Sequence, residues 1–310
     1  MPNLLLLTLS FAAAAVFSAV FAGLMHRLPL RRNEVEAAGA SGASSPQALL
    51  VLGGGVVAGL AVQRSFPSIP PSSGLDRFLT LIFPALLAAE FLAACGGVRG
   101  RYLNVLRILL CLAVPVVILF DSTHLQSPPD WFLLPGLTGG GGLRLLGCSL
   151  LIALFDRLVQ RRLVDTPGLL ALACLLSLQS AGIAVMLGGW IRGGSAALPL
   201  AGASAGVCLA GGLFRQQSLT GAAARMAVWS LLNMLLLGHF FGRLSLADTA
   251  WLMSAVLLPP WVPLPLALRR RIHQATFQLG LTATVLAVLL WLWWRTFALR
   301  MQPLLANLGN

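Results

Sequence analysis

Long apolar segments alternate with short polar ones along the whole chain. Each apolar segment is close to the roughly 20 residues that an α-helix needs to cross the hydrocarbon core of a bilayer. The pattern therefore predicts an all-α fold, a polytopic transmembrane helical bundle with about ten spans and a range of eight to twelve. The predicted spans are 4–25, 47–63, 78–96, 103–120, 141–155, 168–190, 196–214, 226–242, 249–268 and 274–294.

Three of these segments are irregular. The second contains the triplet Gly53–Gly55, the fifth is short, and the ninth contains four prolines between 259 and 265. Transporters often bind substrate at discontinuous helices, where freed backbone groups line a cavity. Spans two and nine are therefore candidates for such breaks, and ordinary helix kinks are the alternative.

The segments between the spans are short. Residues 26–46 are rich in Ala, Gly and Ser and indicate a flexible cytoplasmic linker, whereas residues 121–142 form the longest predicted outer loop. Neither segment reaches the roughly 50 residues of a small folded domain. We therefore treat residues 1–310 as a single membrane-embedded domain without a soluble domain.

Composition supports this interpretation and excludes a soluble globular protein. Of the 310 residues, 58% are hydrophobic and only 10% are charged, whereas an ordinary soluble domain has about 25% charged residues. The run 4–25 lacks a basic residue before it and is longer than the apolar core of a signal peptide, so we expect a retained first span. The lipid bilayer is thus the main expected partner.

The net charge of +12 comes from 21 basic residues that are all arginine, a bias typical of a GC-rich genome. In a soluble chain this charge would indicate nucleic acid, but here all the arginines except Arg107 and Arg144 lie in short loops or the C-terminal tail. Thirteen fall in odd-numbered loops and six in even-numbered loops or the C-terminal tail. Because arginine-rich loops stay cytoplasmic, we expect a bacterial cytoplasmic membrane protein with both termini outside the cytoplasm and no nucleic-acid partner.

The sequence has no motif for a metal, a cofactor or ATP. The five cysteines lie in or beside apolar segments without a CxxC pair, and the chain has no GxxxxGK[ST] loop. We interpret the cysteines as small buried side chains and expect no cofactor or metal and no catalytic residues.

Glu90 and Arg107 are the clearest candidate site residues. An ionisable group inside the hydrocarbon costs about 2.5–3.5 kcal/mol on insertion scales and needs a partner. Glu90 lies five residues before Cys95, and Arg107 lies five residues after Tyr102 on the next span. At about 1.5 Å per residue the two side chains reach a similar depth. We therefore predict an ion pair that either clamps two helices or belongs to a proton or substrate path.

Two further polar sets are candidates. Gln179 and Asn233 fall near the middle of spans six and eight, where they could bond helices together or line a cavity. The second set is a predicted outer-face cluster, which could cap helices, bind a metal or act as acid and base. Its members are Asp121, His124, His239, Arg243 and Asp248.

Three functions fit these features. A small-molecule permease requires a polar cavity near Gln179, Asn233 and Glu90. A structural or assembly subunit, with membrane-protein partners or as a homo-oligomer, requires those groups to be buried against each other. An intramembrane enzyme acting on lipid-linked substrates requires His124 and His239 to lie within about 7 Å of each other.

Overall fold

The structure is a computed structural model that describes residues 4–27, 46–95, 100–122, 141–163, 167–257 and 271–308. Most of the predicted linker and outer loop, including His124, lies outside the described residues. Every regular element within them is helical, which confirms the all-α prediction. The helices are α1 Leu4–Arg27, α2 Pro46–Gln63, α3 Gly74–Arg77, α4 Phe83–Ala94, α5 Gly100–Leu119, α6 Gly141–Leu163, α7 Pro167–Leu187, α8 Ile191–Ser195, α9 Ala197–Leu213, α10 Gln217–Phe241, α11 Leu246–Leu257 and α12 Arg271–Leu308.

Eight helical segments among the described residues are long and apolar enough to cross a membrane. They correspond to predicted spans one to four, six to eight, and ten. The fifth predicted span falls in α6, which is 23 residues long but carries five charged side chains. The ninth begins in α11, which has 12 residues, and the rest of that predicted span lies outside the described residues. The chain is a membrane-embedded helical protein.

The candidate break in span two is not present, because α2 runs without interruption through the glycine triplet. The glycines instead allow close helix packing. A Cβ at Gly55 would collide with Ser18 Oγ of α1, and a Cβ at Gly206 of α9 would collide with the carbonyl oxygen of Ala15. Small residues therefore bring α1, α2 and α9 into close contact. The prolines of the predicted ninth span lie outside the described residues.

Helical irregularities occur at two other places. A π-helical turn, Phe78–Ile82, joins α3 to α4 in one continuous run of helix. The short helix α8 is separated from α9 by Ala196. Single π turns inside helices are frequent at functional sites, and this one begins two residues after the buried Asp76.

Helix α10 occupies the centre of the bundle. Nineteen of its 25 residues are buried, and it packs against α6, α7 and α9. A helix that is apolar on all sides is stable only when other helices surround it. Polar side chains in the middle of α10, such as those of Ser230 and Asn233, are therefore enclosed by the bundle.

The run from α3 to α4 defines two ends of the bundle. Asp76 and Glu90 lie on it, about 21 Å apart along the helix axis. Near Asp76, the Arg77 guanidinium donates to the carbonyl oxygen of Phe120, and the ring of Phe241 lies close to Gly74. The C-terminal ends of α5 and α10 therefore lie close to Asp76. We call this end of the bundle the Asp76 end and the opposite end the Glu90 end.

Candidate functional site

Glu90 and Arg107 form an ion pair between α4 and α5. Glu90 is 2% exposed, and its Oε1 accepts hydrogen bonds from Arg107 Nη2 at 2.7 Å and Nε at 3.1 Å. The structure thus brings together the two residues that the depth argument pairs. The two guanidinium donors converge on this one oxygen, and hydrogen bonds between ionised groups are stronger than those between neutral groups.

Arg225 of α10 is a second partner that the sequence analysis missed. Its Nη1 lies 3.2 Å from Glu90 Oε2, so Glu90 contacts guanidinium groups from two other helices. The predicted span began at residue 226 and left Arg225 in a loop, whereas α10 begins at Gln217. The apolar run Gly221–Ala224 before it was the available signal. We call Glu90, Arg107 and Arg225 the Glu90 cluster.

A fourth charged residue lies close to this cluster. Asp156 of α6 is 8% exposed, and both Asp156 and Arg107 lie within electrostatic range of the Cys111 thiol on α5. The neighbourhood therefore contains two carboxylates and two guanidinium groups. Buried charges are tolerated when they compensate one another in this way.

The polar face of α10 continues from the Glu90 cluster toward mid-membrane. Arg225, Trp229 and Asn233 are spaced four residues apart and therefore lie on one side of the helix. Asn233 is fully buried and lies about 12 Å beyond Arg225 along the axis. We call these three residues the α10 polar face.

Asn233 bonds within its own helix. Its Nδ2 donates to the Trp229 carbonyl oxygen at 2.7 Å, while its buried Oδ1 has no hydrogen-bond partner among the described residues. A side-chain amide that joins two helices makes a hydrogen bond from one helix to the other. The Asn233 amide makes no such bond among the described residues. The unpaired oxygen is a costly feature in an apolar interior.

Gln179 is half-buried on α7. Within the described part of the chain, no hydrogen bond joins Gln179 to Asn233 or to Glu90. Ser177, two residues before it, is fully buried, and its Oγ has no partner among the described residues. The structure therefore does not bring the three predicted path residues into one contact network.

The sequence analysis also missed Asp76, a buried charged residue at the other end of the bundle from Glu90. Asp76 is 0% exposed, and its carboxylate accepts hydrogen bonds from the backbone N–H of Ser68 and from the hydroxyls of Ser68, Ser72 and Ser73 at 2.8–3.3 Å. Arg192 Nη2 of α8 donates to it at 3.0 Å. We call these five residues the Asp76 cluster.

The local sequence explains the Asp76 cluster. Ser73 is the N-cap of α3 and accepts from the Asp76 N–H at 3.1 Å, while the Asp76 carboxylate accepts from the Ser73 hydroxyl. A serine followed three residues later by an acid is the pattern of a capping box. This spacing was the signal that could have identified Asp76.

The predicted outer-face residues are mostly engaged locally. His239 Nδ1 lies 2.8 Å from the Leu244 carbonyl oxygen, and Asp248 accepts from the N–H and hydroxyl of Ser245. Asp121 and Arg243 have positive φ at helix ends. His124 lies outside the described residues, so the distance to His239 remains a prediction. The described residues contain no group of three potential metal ligands.

Comparison with family models, curated proteins and solved structures finds no match for this chain.

Proposed function

We propose that the chain is a small-molecule permease whose substrate passes along the α10 polar face. The observation that carries this proposal is the fully buried Asn233, whose Oδ1 lacks a partner among the described residues. Leaving such an acceptor unpaired costs about 1–3 kcal/mol. A solute or a water molecule that supplies a hydrogen-bond donor removes this cost.

The Glu90 cluster supports the same proposal. Ionisable residues inside membrane segments often mark substrate and ion pathways, and this cluster lies on the helix face that leads to Asn233. It also connects α4, α5 and α10 through the ion pairs of Glu90 with Arg107 and Arg225. A passage along this face therefore opens only when these ion pairs break. The cluster would thus act as a gate, and the substrate is a small polar solute with at least one hydrogen-bond donor.

Thiol accessibility tests this proposal. In a variant without the five native cysteines, Asn233→Cys is compared with Leu231→Cys, a fully buried position on another face of α10. Intact proteoliposomes are treated with a membrane-impermeant methanethiosulfonate reagent. A permease exposes position 233 to water during its cycle, so we expect Asn233→Cys to react and Leu231→Cys to stay unmodified. Equal protection of both positions would contradict the proposal.

A structural or assembly subunit is the second candidate. It is favoured by the double connection of Glu90 to α5 and α10 and by the close packing of α1, α2 and α9. This candidate predicts that position 233 is unreactive. It also predicts that proteoliposomes shrink and recover at the rate of protein-free liposomes when challenged osmotically with a panel of small polar solutes.

A further inference from the structure

A cleft of about 350 Å³ separates α11 from α12 on a flank of the bundle. Thr282 Oγ1 lies 3.2 Å from the Ala255 carbonyl oxygen of α11 and 3.0 Å from the Gln278 carbonyl oxygen of its own helix, so α11 and α12 are in contact at one end of the cleft. Val285, Val288 and Leu289 of α12 line it toward the Asp76 end. From Thr284 to Trp293 the lining extends about 13 Å along α12, so the cleft is an elongated apolar groove.

The end of the groove farther from Thr282 carries different chemistry. Asp248, Trp251 and Trp293 line it, and Trp251 is 57% exposed. Asp248 Oδ2 accepts from the N–H and the hydroxyl of Ser245, whereas Oδ1 makes no hydrogen bond to a described residue. No described arginine pairs with Asp248. A carboxylate beside two indole rings is therefore available to a cation.

An apolar groove that ends at a carboxylate and two indole rings favours one class of ligand. Aromatic faces attract ammonium groups through the ring quadrupole, and a carboxylate adds direct charge complementarity. Tryptophans are enriched where membrane helices meet the lipid headgroups, and the apolar groove leads away from that level into the hydrocarbon. A molecule with an ammonium group at one end and a long hydrocarbon chain fits both parts of the cleft.

We propose that the α11–α12 cleft binds a phospholipid with a primary ammonium headgroup. The ammonium lies against Asp248 and the indole rings, and one acyl chain follows the groove along α12. The site is independent of the α10 polar face, so it stands whether the chain is a permease or a structural subunit.

The test measures lipid retention by the full chain. The protein is reconstituted in nanodiscs with equal amounts of phosphatidylethanolamine and phosphatidylglycerol, extracted gently, and analysed by native mass spectrometry. We expect the protein to retain about threefold more phosphatidylethanolamine, the ratio that an exposed ammonium–carboxylate pair supplies.

Two variants separate the parts of the cleft. Asp248→Asn keeps an acceptor for Ser245 but removes the charge, so the headgroup preference should disappear. Val288→Trp fills the groove and should lower the retention of both lipids. The matched controls are Asp121→Asn, an exposed acid at a helix end, and Ile108→Trp, which is 55% exposed compared with 54% for Val288.

The proposal is overturned if the unmodified protein retains both lipids equally or prefers phosphatidylglycerol. It is also overturned if Asp248→Asn keeps the preference for phosphatidylethanolamine, or if Ile108→Trp lowers retention as much as Val288→Trp does. Because Asp248→Asn conserves size and hydrogen bonding, it tests the headgroup contact even if the tryptophan variant assembles poorly.

Discussion

Asp76 and Glu90 lie on one run of helix, yet their clusters stabilise a buried carboxylate in different ways. Asp76 receives most of its hydrogen bonds from serines three to eight residues away. Glu90 receives its bonds from arginines that are 17 and 135 positions away. One charge is satisfied by its own loop, and the other by the assembled bundle.

This difference separates local structure from tertiary structure. The serine hydroxyls reach Asp76 once a single turn and α3 have formed, whereas Glu90 has its partners only after α4, α5 and α10 have packed together. The arginine partners differ in burial as well. The side chain of Arg192 at the Asp76 end is 53% exposed, whereas that of Arg107 at the Glu90 end is 9% exposed. Loss of a partner should therefore matter far more at the Glu90 end.

The largest effect is expected for Glu90→Gln. This change leaves the buried guanidinium of Arg107 and the partly buried one of Arg225 without the Glu90 carboxylate, and breaking a buried pair from one side costs about 3 kcal/mol or more. Unfolding of the purified protein by titration with sodium dodecyl sulfate measures the loss of free energy. Asp121→Asn, which neutralises an exposed acid, serves as the control and should change little.

A loss at Glu90 no larger than that of the control would show that the cluster contributes nothing to stability. In that case the clamp interpretation fails and only a role in a pathway is left. Normal stability combined with altered solute flux in proteoliposomes would point to the same conclusion.

A smaller effect is expected for Arg225→Gln than for Arg107→Gln. Arg107 makes two hydrogen bonds to Glu90 and is nearly buried, whereas Arg225 makes one to Glu90 at 3.2 Å and its side chain is 19% exposed. We expect a loss of about 2 kcal/mol for Arg225→Gln, the contribution of one hydrogen bond to a charged group. The same detergent titration compares both variants, and a reversed order would mean that Arg225 is the principal partner.

The contact between Glu90 and Arg107 was predictable from the sequence because the regular geometry of a helix relates residue number to depth in the membrane. The rise per residue of an α-helix is constant, so the depths of Glu90 and Arg107 followed from counting residues to the helix ends. Arg225 was missed because the count depends on where a helix begins, and its own charge made residue 226 look like the start of the span. Helix boundaries are weakly encoded because termini tolerate many residues.

Other features depend on partners that no local pattern specifies. The glycines at 53–55 suit either a broken helix or a close helix contact, and only the approach of Ser18 and Phe17 from α1 decides between them. The capping pattern at Ser73 and Asp76 predicts the local bonds, but the contact with Arg192 of α8 joins positions 116 residues apart. Orientation in the membrane stays a prediction from the arginine distribution.

The smallest effect is expected for Arg192→Gln. Asp76 keeps the donors of Ser68, Ser72 and Ser73 when the guanidinium is removed, and an ion pair with one exposed partner contributes about 0.5 kcal/mol. High salt screens such a pair, since the Debye length falls to about 3 Å at roughly 1 M. The difference between this variant and the unmodified protein should therefore vanish in concentrated sodium chloride, whereas the effect of Glu90→Gln should persist. Thermal unfolding of both variants in a nonionic detergent, at low and high salt, measures this contrast.

An Arg192→Gln effect that is as large as that of Glu90→Gln and insensitive to salt would mean that Asp76 also depends on the assembled bundle, and the contrast between the two ends would be lost.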